Sequence, residues 1–125
     1  MIRFFIKSGN NSLKFDAPTN ELFDHLGSIG INEDIPITCS EKIYLDFYPT
    51  DDTDKIAKIV CERLLSEDKI SDVNQLCKKL DGQWRISAEE FENALSENDV
   101  RGALNIDAAY EKLLEDPKQT DDLSM

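Results

Sequence analysis

The chain has few of the residue types that usually carry enzymatic chemistry or covalent crosslinks. Its 125 residues include three cysteines, one histidine and one tryptophan. Cys39, Cys61 and Cys77 are odd in number, widely spaced and without a CxxC pair, which argues against a disulfide framework and against a zinc site. Reduced thiols suit a cytoplasmic protein. The sequence therefore predicts a cytoplasmic protein with no bound metal and no cofactor.

Long hydrophobic runs and catalytic signatures are also missing. No window approaches the ~20 apolar residues that cross a bilayer, and the N-terminus Met1–Lys7 lacks the apolar stretch and cleavage site of a signal peptide. The motifs GxGxxG, GxxxxGK(S/T), HExxH and GxSxG do not occur. A Ser-His-Asp or Cys-His centre would have to use His25, which falls in a short predicted helix and is expected to be a solvated surface residue. We expect neither enzymatic activity nor a membrane span.

Negative charge is what the chain has in excess. Twenty-six Asp and Glu face fourteen Lys and Arg, so the formal net charge is −12. Residues 1–50 hold seven acids and four bases, a net of −3, and residues 51–125 hold nineteen acids and ten bases, a net of −9. Such a surface repels nucleic acid and anionic membranes and attracts basic surfaces, most of which bind nucleic acid. Acidity can equally serve solubility alone, so a partner-binding surface and a merely solvated one both remain open.

The N-terminal part, residues 1–50, has the period-two hydrophobic alternation of strands. Strands are predicted over residues 2–7, around Leu13 and Phe15 after a five-residue turn region, and over residues 42–48. Together these segments predict a three-stranded antiparallel sheet.

A short helix is expected between the second and third strands. Thr19 is its predicted N-cap, because a threonine hydroxyl accepts a hydrogen bond from a free amide of the first turn. Gly27 and Gly30 are two candidate stops, and Gly30 suits the left-handed position that follows many helices. The first fifty residues are therefore predicted to form a small α+β domain.

The hydrophobic period becomes helical after a polar linker at residues 49–53. Residues 53–116 are predicted to form an all-helical, bundle-like domain, followed by a disordered tail, residues 117–125. Cys61 and Cys77 are predicted to fill the core from inner helix faces. Trp84 is predicted to lie in a loop, where it either covers the helical core or anchors a partner protein. Four helices are predicted, each from residues that favour a helix start. The first has Asp51, Asp52 and Asp54 at its start, and the second has Ser71 as its cap. The third starts at the capping box of Ser87 with Glu90, and the fourth has Asn105 as its cap. The second of these helices is expected to end at Asp81-Gly82.

The candidate partner-binding residues are carboxylates in the linker and on the outward faces of the helices. B-form DNA presents one negative charge per ~1.7 Å of its axis, and carboxylates one turn apart on neighbouring helices form a comparable, sparser array. Such an array could occupy a DNA-binding cleft lined with Lys and Arg, although periodicity alone fits a solvated face equally well. The candidates are Asp51, Asp52, Asp54, Glu62, Asp72, Glu89, Glu92, Glu97, Asp99, Glu111 and Glu115.

Four segments, in this order, resemble the ArdA family of anti-restriction proteins. They are Glu21–Glu33 with its Ile-Gly-Ile turn, the strand Ile43–Tyr48 with Asp46 and Tyr48, the helix Ile70–Leu80 with Asn74 and Leu76, and Glu89–Leu95. The resemblance covers roughly residues 20–115. It implies an α/β N-terminal domain followed by a helical domain, and mimicry of DNA that blocks the methyltransferase and specificity subunits of type I restriction–modification enzymes.

Two functions follow as expectations. The first is an acidic DNA mimic carried by a mobile genetic element, which binds a protein and no nucleic acid. This mimic is expected to be a monomer or weak dimer, since the chain stops before the further acidic domain that contributes dimerisation in the family. The second is another protein-binding module, such as an anti-CRISPR or a regulatory adaptor, with an apolar contact centred on Trp84 or Phe91.

Overall fold

The structure, a computed structural model, describes residues 1–81 and 86–114. Within these ranges the chain forms a three-stranded antiparallel sheet and five helices, so the predicted α+β class is confirmed. The elements are β1 (Ile2–Ser8), β2 (Asn11–Ala17), α1 (Leu22–Gly27), β3 (Ile43–Pro49), α2 (Lys55–Arg63), α3 (Ile70–Leu80), α4 (Ala88–Glu97) and α5 (Ala103–Leu114).

The sheet has β1 at its centre, in the order β2-β1-β3. Alternation along β1 buries Ile2, Phe4 and Ile6 on the inner face, as the period of two predicts. In the register, Phe4 lies opposite Phe15 on β2 and opposite Phe47 on β3. The rings of Phe4 and Phe15 stack with centroids 5.4 Å apart, so aromatic pairs across the strands bind the sheet together.

The hairpin between β1 and β2 is tighter than predicted. Strand pairing continues until Ser8 lies opposite Asn11, so the turn consists of Gly9 and Asn10 and not of five residues. Gly9 has φ +62°, a left-handed conformation that glycine adopts at little cost and that tight hairpins require. The flanking serine and asparagine residues are turn formers by composition, but cross-strand hydrogen bonds outweigh that local preference.

The helices pack on one another and on the inner face of the sheet. The buried side chains form one connected cluster that extends from β1 to α5. Helix α2 lies against β3, and α3 packs mainly on α5. Cys77 is buried in this cluster and Cys61 is half-buried at its edge, as core fillers on inner helix faces would be.

One buried amide side chain connects the early part of the chain to α3. Asn74, which is 3% exposed, accepts a hydrogen bond from the Thr19 N–H (2.8 Å) and donates one to the Thr19 carbonyl (2.9 Å). Both ends of the amide therefore have partners, which removes most of the penalty for burying it. The division of the chain at residues 1–50 and 53–116 stays a prediction.

The predicted N-cap of the first helix is wrong. Helix α1 begins at Leu22 with Glu21 as its N-cap, and no side chain caps it. The Thr19 hydroxyl instead accepts a hydrogen bond from the Glu21 N–H at 3.0 Å. The backbone of Thr19 is hydrogen-bonded to Asn74 of α3, and Thr19 lies two residues before the N-cap position.

The predicted cap at Ser71 is also wrong. Helix α3 begins at Ile70 with Lys69 in the N-cap position, so Ser71 lies inside the helix. The Ile70 N–H donates to the Ile35 carbonyl (3.0 Å) and the Ser71 N–H donates to the Glu33 carbonyl (3.1 Å). The loop before β3 thus satisfies amides of this helix end through its backbone. A serine hydroxyl is not needed there.

Asn105 is not the cap of the last helix, which begins at Ala103. The Ala103 N–H donates to Asp68 Oδ2 at 3.0 Å, and the Leu65 N–H donates to the same oxygen at 2.8 Å. Asn105 lies inside the helix, where its side-chain amide donates to the Arg101 carbonyl at 2.9 Å. A carboxylate from a distant loop therefore caps α5.

Three other local predictions are confirmed. Ser87 and Glu90 form a capping box, in which each side chain accepts a hydrogen bond from the other residue's N–H (3.2 and 3.1 Å). Asp54 caps α2 by accepting from the Ala57 N–H at 3.0 Å. Gly30 is left-handed, with φ +73°.

No helix of the described residues is long and apolar enough to cross a membrane. The predicted helix end at Gly82, the role of Trp84, the candidate Glu115 and the predicted tail 117–125 lie outside the described residues.

Candidate functional site

Three of the predicted carboxylates meet in a groove between α2 and α4. Glu62, Glu89 and Glu92 line this groove, which has a volume of about 390 Å³. Lys55 and Lys58 of α2 line it as well. The groove therefore presents charges of both signs and is not a continuous acidic surface.

Glu111 is engaged inside the molecule. The Lys79 ammonium forms ion pairs with the carboxylates of Asp107 and Glu111, which joins α3 to α5. The hydrogen bond that Lys79 donates to Asp107, followed by the one that it donates to Glu111, raises the pKa of Lys79. Because one cation serves two carboxylates here, Glu111 offers a partner less free charge than the sequence predicts.

Acids around the start of α2 and α3 have local structural roles. Asp51 Oδ1 accepts hydrogen bonds from the Thr53 N–H (2.9 Å) and hydroxyl (2.8 Å), which lowers the pKa of Asp51. Asp54 is the N-cap of α2. Asp72 is half-buried in the first turn of α3, where an acid suits the positive end of the helix dipole. Asp52 is exposed.

All the charged side chains of α4 are acidic. Its ten residues include four glutamates and no Lys, Arg or His. All four glutamates are exposed. At about 1.5 Å per residue the helix is about 15 Å long, so it presents one charge per roughly 4 Å, close to the ~3.4 Å spacing of phosphates along one DNA strand. The glutamates are Glu89, Glu90, Glu92 and Glu97.

Two acids of this segment lie where they oppose folding. Glu97 is the last residue of α4, at the negative end of the helix dipole. Asp99 follows with φ +49°, a left-handed conformation that disfavours residues other than glycine. It occupies that position in a Schellman motif, in which the Asp99 N–H donates to the Ser96 carbonyl (3.2 Å) and the Val100 N–H to the Leu95 carbonyl (2.9 Å). Arg101 Nε lies 3.3 Å from Asp99 Oδ1, but Asp99 is 79% exposed, so this ion pair offsets little of the cost.

A second acidic stretch lies between Lys14 and Lys55, and the sequence-based candidates include only its last three acids, Asp51, Asp52 and Asp54. It contains ten acids and one base, Lys42, whereas residues 55–81 contain five acids and six bases. Summing charge over residues 1–50 conceals this stretch, because that sum includes the bases that precede it. Along the sequence, two acidic segments therefore flank a nearly neutral one.

The bases of the first fifty residues are concentrated on and beside the outer face of the sheet. Arg3, Lys7 and Lys14 point outward from β1 and β2, and Lys42 immediately precedes β3. Lys7 and Lys42 line an open cleft of about 830 Å³. Arg3 Nε lies 2.7 Å from Asp16 Oδ1, and this hydrogen bond lowers the pKa of Asp16. The charge of the molecule is thus unevenly distributed.

Two aromatic predictions are corrected. His25 is half-buried and not fully solvated, because its ring stacks on that of Phe15 at 5.3 Å and an interplanar angle of 10°. Phe91 is fully buried and meets the Tyr110 ring edge-on at 6.0 Å. An interface centred on Phe91 is therefore wrong, since the side chain has no exposed surface.

The buried thiols are poor nucleophiles. Burial raises the pKa of Cys77 to about 12, and burial with the nearby carboxylate of Asp54 raises that of Cys61 to about 12. Both thiols stay protonated at neutral pH, and it is the thiolate that reacts. Within residues 1–81 and 86–114, no group of three His, Cys, Asp or Glu could hold a metal ion.

Comparisons with known protein families, curated proteins and solved structures found no match to this chain. The resemblance to the ArdA family therefore depends on the four quoted segments. Asn74, one of the residues that carry it, bonds to the backbone of Thr19, so it serves folding.

Proposed function

We propose that this chain is an acidic inhibitor that occupies the basic DNA-binding cleft of an enzyme in place of DNA. The observation that carries the proposal is the acid-only segment formed by α4 and its C-terminal turn, residues 88–99. Its charge spacing approximates that of one DNA strand. Glu97 lies at the negative end of the helix dipole, which is unfavourable for folding. Asp99 is left-handed, and unusual backbone conformations of this kind are concentrated at functional sites.

The resemblance to the ArdA family makes a type I restriction–modification complex the first target to test. The inhibitor would bind the methyltransferase and specificity subunits in the cytoplasm, where they meet incoming DNA. A mobile genetic element that carried the gene would benefit from this inhibition. The chain itself would bind no DNA on this surface, since like charges repel.

Competition for the same lysines and arginines is the proposed mechanism. DNA and the inhibitor both need these cations, so one excludes the other without any chemical step. Electrostatic attraction accelerates such encounters and weakens as salt screens it over a Debye length of about 8–10 Å. Inhibition is therefore expected to fall as ionic strength rises.

The experiment measures DNA cleavage by a purified type I enzyme against inhibitor concentration. Four isosteric substitutions, Glu89→Gln, Glu92→Gln, Glu97→Gln and Asp99→Asn, remove charge from the segment and keep its shape. At about 0.3–1 kcal/mol for each exposed contact, the combined variant is expected to inhibit roughly 10- to 1,000-fold less well.

A matched control removes the same charge elsewhere on the exposed surface, through Asp24→Asn, Asp34→Asn, Glu41→Gln and Glu67→Gln. It should inhibit nearly as well as the natural sequence. Because Asp24, Asp34 and Glu41 lie in the second acidic stretch, equal losses in both variants would show that inhibition does not depend specifically on the α4 segment. Absence of inhibition by the unaltered protein at low salt would refute this target, and a CRISPR effector is then the next DNA-binding enzyme to assay.

A further inference from the structure

The outer face of the sheet has an aromatic centre with opposite charges on its two sides. Phe5, on the central strand, lies between Lys14 on β2 and Asp46 on β3 in the strand register. Its ring is 6.1 Å from that of Tyr44. Tyr44 and Tyr48 are 50% and 40% exposed. Aromatic side chains are enriched at protein–protein interfaces.

We propose that this face pairs with the same face of a second copy of the chain, about a two-fold axis parallel to β1. Such an axis passes over Phe5 and exchanges the two edge strands, so β2 of each copy lies over β3 of the other. Lys14 then faces Asp46 of the other copy, and the symmetry repeats this contact. Tyr48 faces Asp16 in the same manner, and the two Phe5 rings meet at the axis.

The register selects this orientation over the other face-to-face arrangement. A two-fold axis perpendicular to the strands would place Lys14 over Lys14 and Asp46 over Asp46, which is repulsive. Along the favoured axis the two Lys7 side chains come near each other, and so do the two Arg3 side chains. Lys7 is long, exposed and close to the sheet end, so it can extend into solvent. The charge of Arg3 is offset by its pair with Asp16.

The charges of the face favour a copy of the chain over a nucleic acid. Arg3 is already paired with Asp16, and Asp46 lies in the middle row beside Phe5. Little net positive charge is left for phosphates, and the whole chain carries −12. Because opposite charges lie on the two sides of Phe5, the face can pair with the same face of a second copy.

The size of the face predicts a weak dimer. Three strands about 4.8 Å apart and seven residues long, at about 3.4 Å per residue, give a footprint of roughly 340 Å² per copy. Stable interfaces bury ~1,200–2,000 Å² in total. Repulsion between two copies of charge −12 opposes pairing, so salt should strengthen the dimer by screening that repulsion. Salt is thus expected to strengthen the dimer and to weaken inhibition, so failure of one proposal can be distinguished from failure of the other.

The experiment is analytical ultracentrifugation of the whole chain from about 10 to 500 μM, a range suited to interfaces below ~1,200 Å². Dimer should appear toward the high end and increase with salt. Lys14→Asp alone and Asp46→Lys alone should each weaken dimerisation at least about tenfold, because like charges then face each other. The matched control Lys69→Asp changes an exposed lysine outside the sheet and should leave dimerisation unchanged.

Mixing the two single variants is the decisive step. One copy then has acids at both positions and the other has lysines at both, so every facing pair is opposite in sign and a heterodimer should form. The double variant Lys14→Asp with Asp46→Lys should regain the homodimer. A chain that stays monomeric at all concentrations overturns the proposal, and so does a mixture that fails to associate while both variants retain the natural circular dichroism spectrum.

Discussion

Replacing Asp99 with glycine is expected to stabilise the protein while it weakens inhibition. The reason is that α1 and α4 end in the same backbone motif with different residues in its left-handed position. After α1 this residue is Gly30, with φ +73°, and the Ile31 N–H donates to the Leu26 carbonyl at 2.9 Å. After α4 it is Asp99, with φ +49°. The first helix therefore has the residue that the motif favours, and the fourth does not.

The expected gain is the balance of four small effects. A left-handed residue other than glycine costs about 1 kcal/mol, and a negative charge at the end of a helix costs about 0.3–1 kcal/mol. The pair of Arg101 with Asp99 (3.3 Å) is lost, but Asp99 is 79% exposed, so that pair contributes ~0–1 kcal/mol. Glycine also loses about 0.5–1 kcal/mol more in chain entropy on folding. The net stabilisation is expected to be about 0.5 kcal/mol, a rise in Tm of roughly 2 °C.

Urea and thermal unfolding of two further variants separate the causes. Asp99→Asn removes the charge and keeps a side chain that tolerates the left-handed region. It should therefore gain only the stabilisation that comes from removing a negative charge at the helix end. Gly30→Ala is the mirror control. A Cβ at Gly30 meets nothing within 4 Å, so a loss of about 1 kcal/mol would come from conformation. If Asp99→Gly is less stable than the natural protein, Asp99 serves folding and the reasoning is refuted. Unchanged inhibition by a more stable Asp99→Gly would remove Asp99 from the binding surface.

Three further predictions test the rest of the structure. Asp68→Ala should lower the free energy of unfolding by about 1–2 kcal/mol in urea titrations, because one of its oxygens accepts from two backbone amides; Asp68→Asn, which keeps an acceptor, should lose less. Cys39 is exposed and should react with a thiol reagent in the folded state, whereas Cys77, with its pKa raised to about 12, should react only on unfolding; equal rates would contradict the burial. The hydrogen bond from Arg3 lowers the pKa of Asp16 below 3.8, so this pair stabilises the folded state above that pH and ceases to do so as pH falls through the lowered pKa. Asp16→Asn should therefore flatten the acid side of a stability-versus-pH curve.

Local signals predicted much of the fold. The strand alternation of β1 and the capping box of Ser87 with Glu90 involve residues within a few positions of each other, so the sequence displays them directly. The caps of α3 and α5 were mispredicted because their acceptors, the Ile35 carbonyl and the Asp68 carboxylate, come from distant segments. Such partners are set by tertiary packing and leave no local pattern.

The candidate site was predictable to a similar extent. Exposure of the α4 glutamates follows from the helical period, and the structure agrees. The pairing of Glu111 with Lys79, which is 32 positions away, depends on how α3 packs on α5, and periodicity holds no information about it. The left-handed conformation of Asp99 was likewise not visible, because aspartate is not the residue that this position favours.

The bonds between Asn74 and Thr19 provide a way to count cooperative units in this chain. Fifty-five positions separate the two residues, so the Thr19 amide loses its acceptor when α3 moves away from the segment before α1. Its hydrogen-exchange rate therefore reports the free energy of that separation. If Thr19 exchanges only as fast as the amides in the middle of β1, the sheet and the helices open together as one unit; faster exchange at Thr19 would mark a boundary between two.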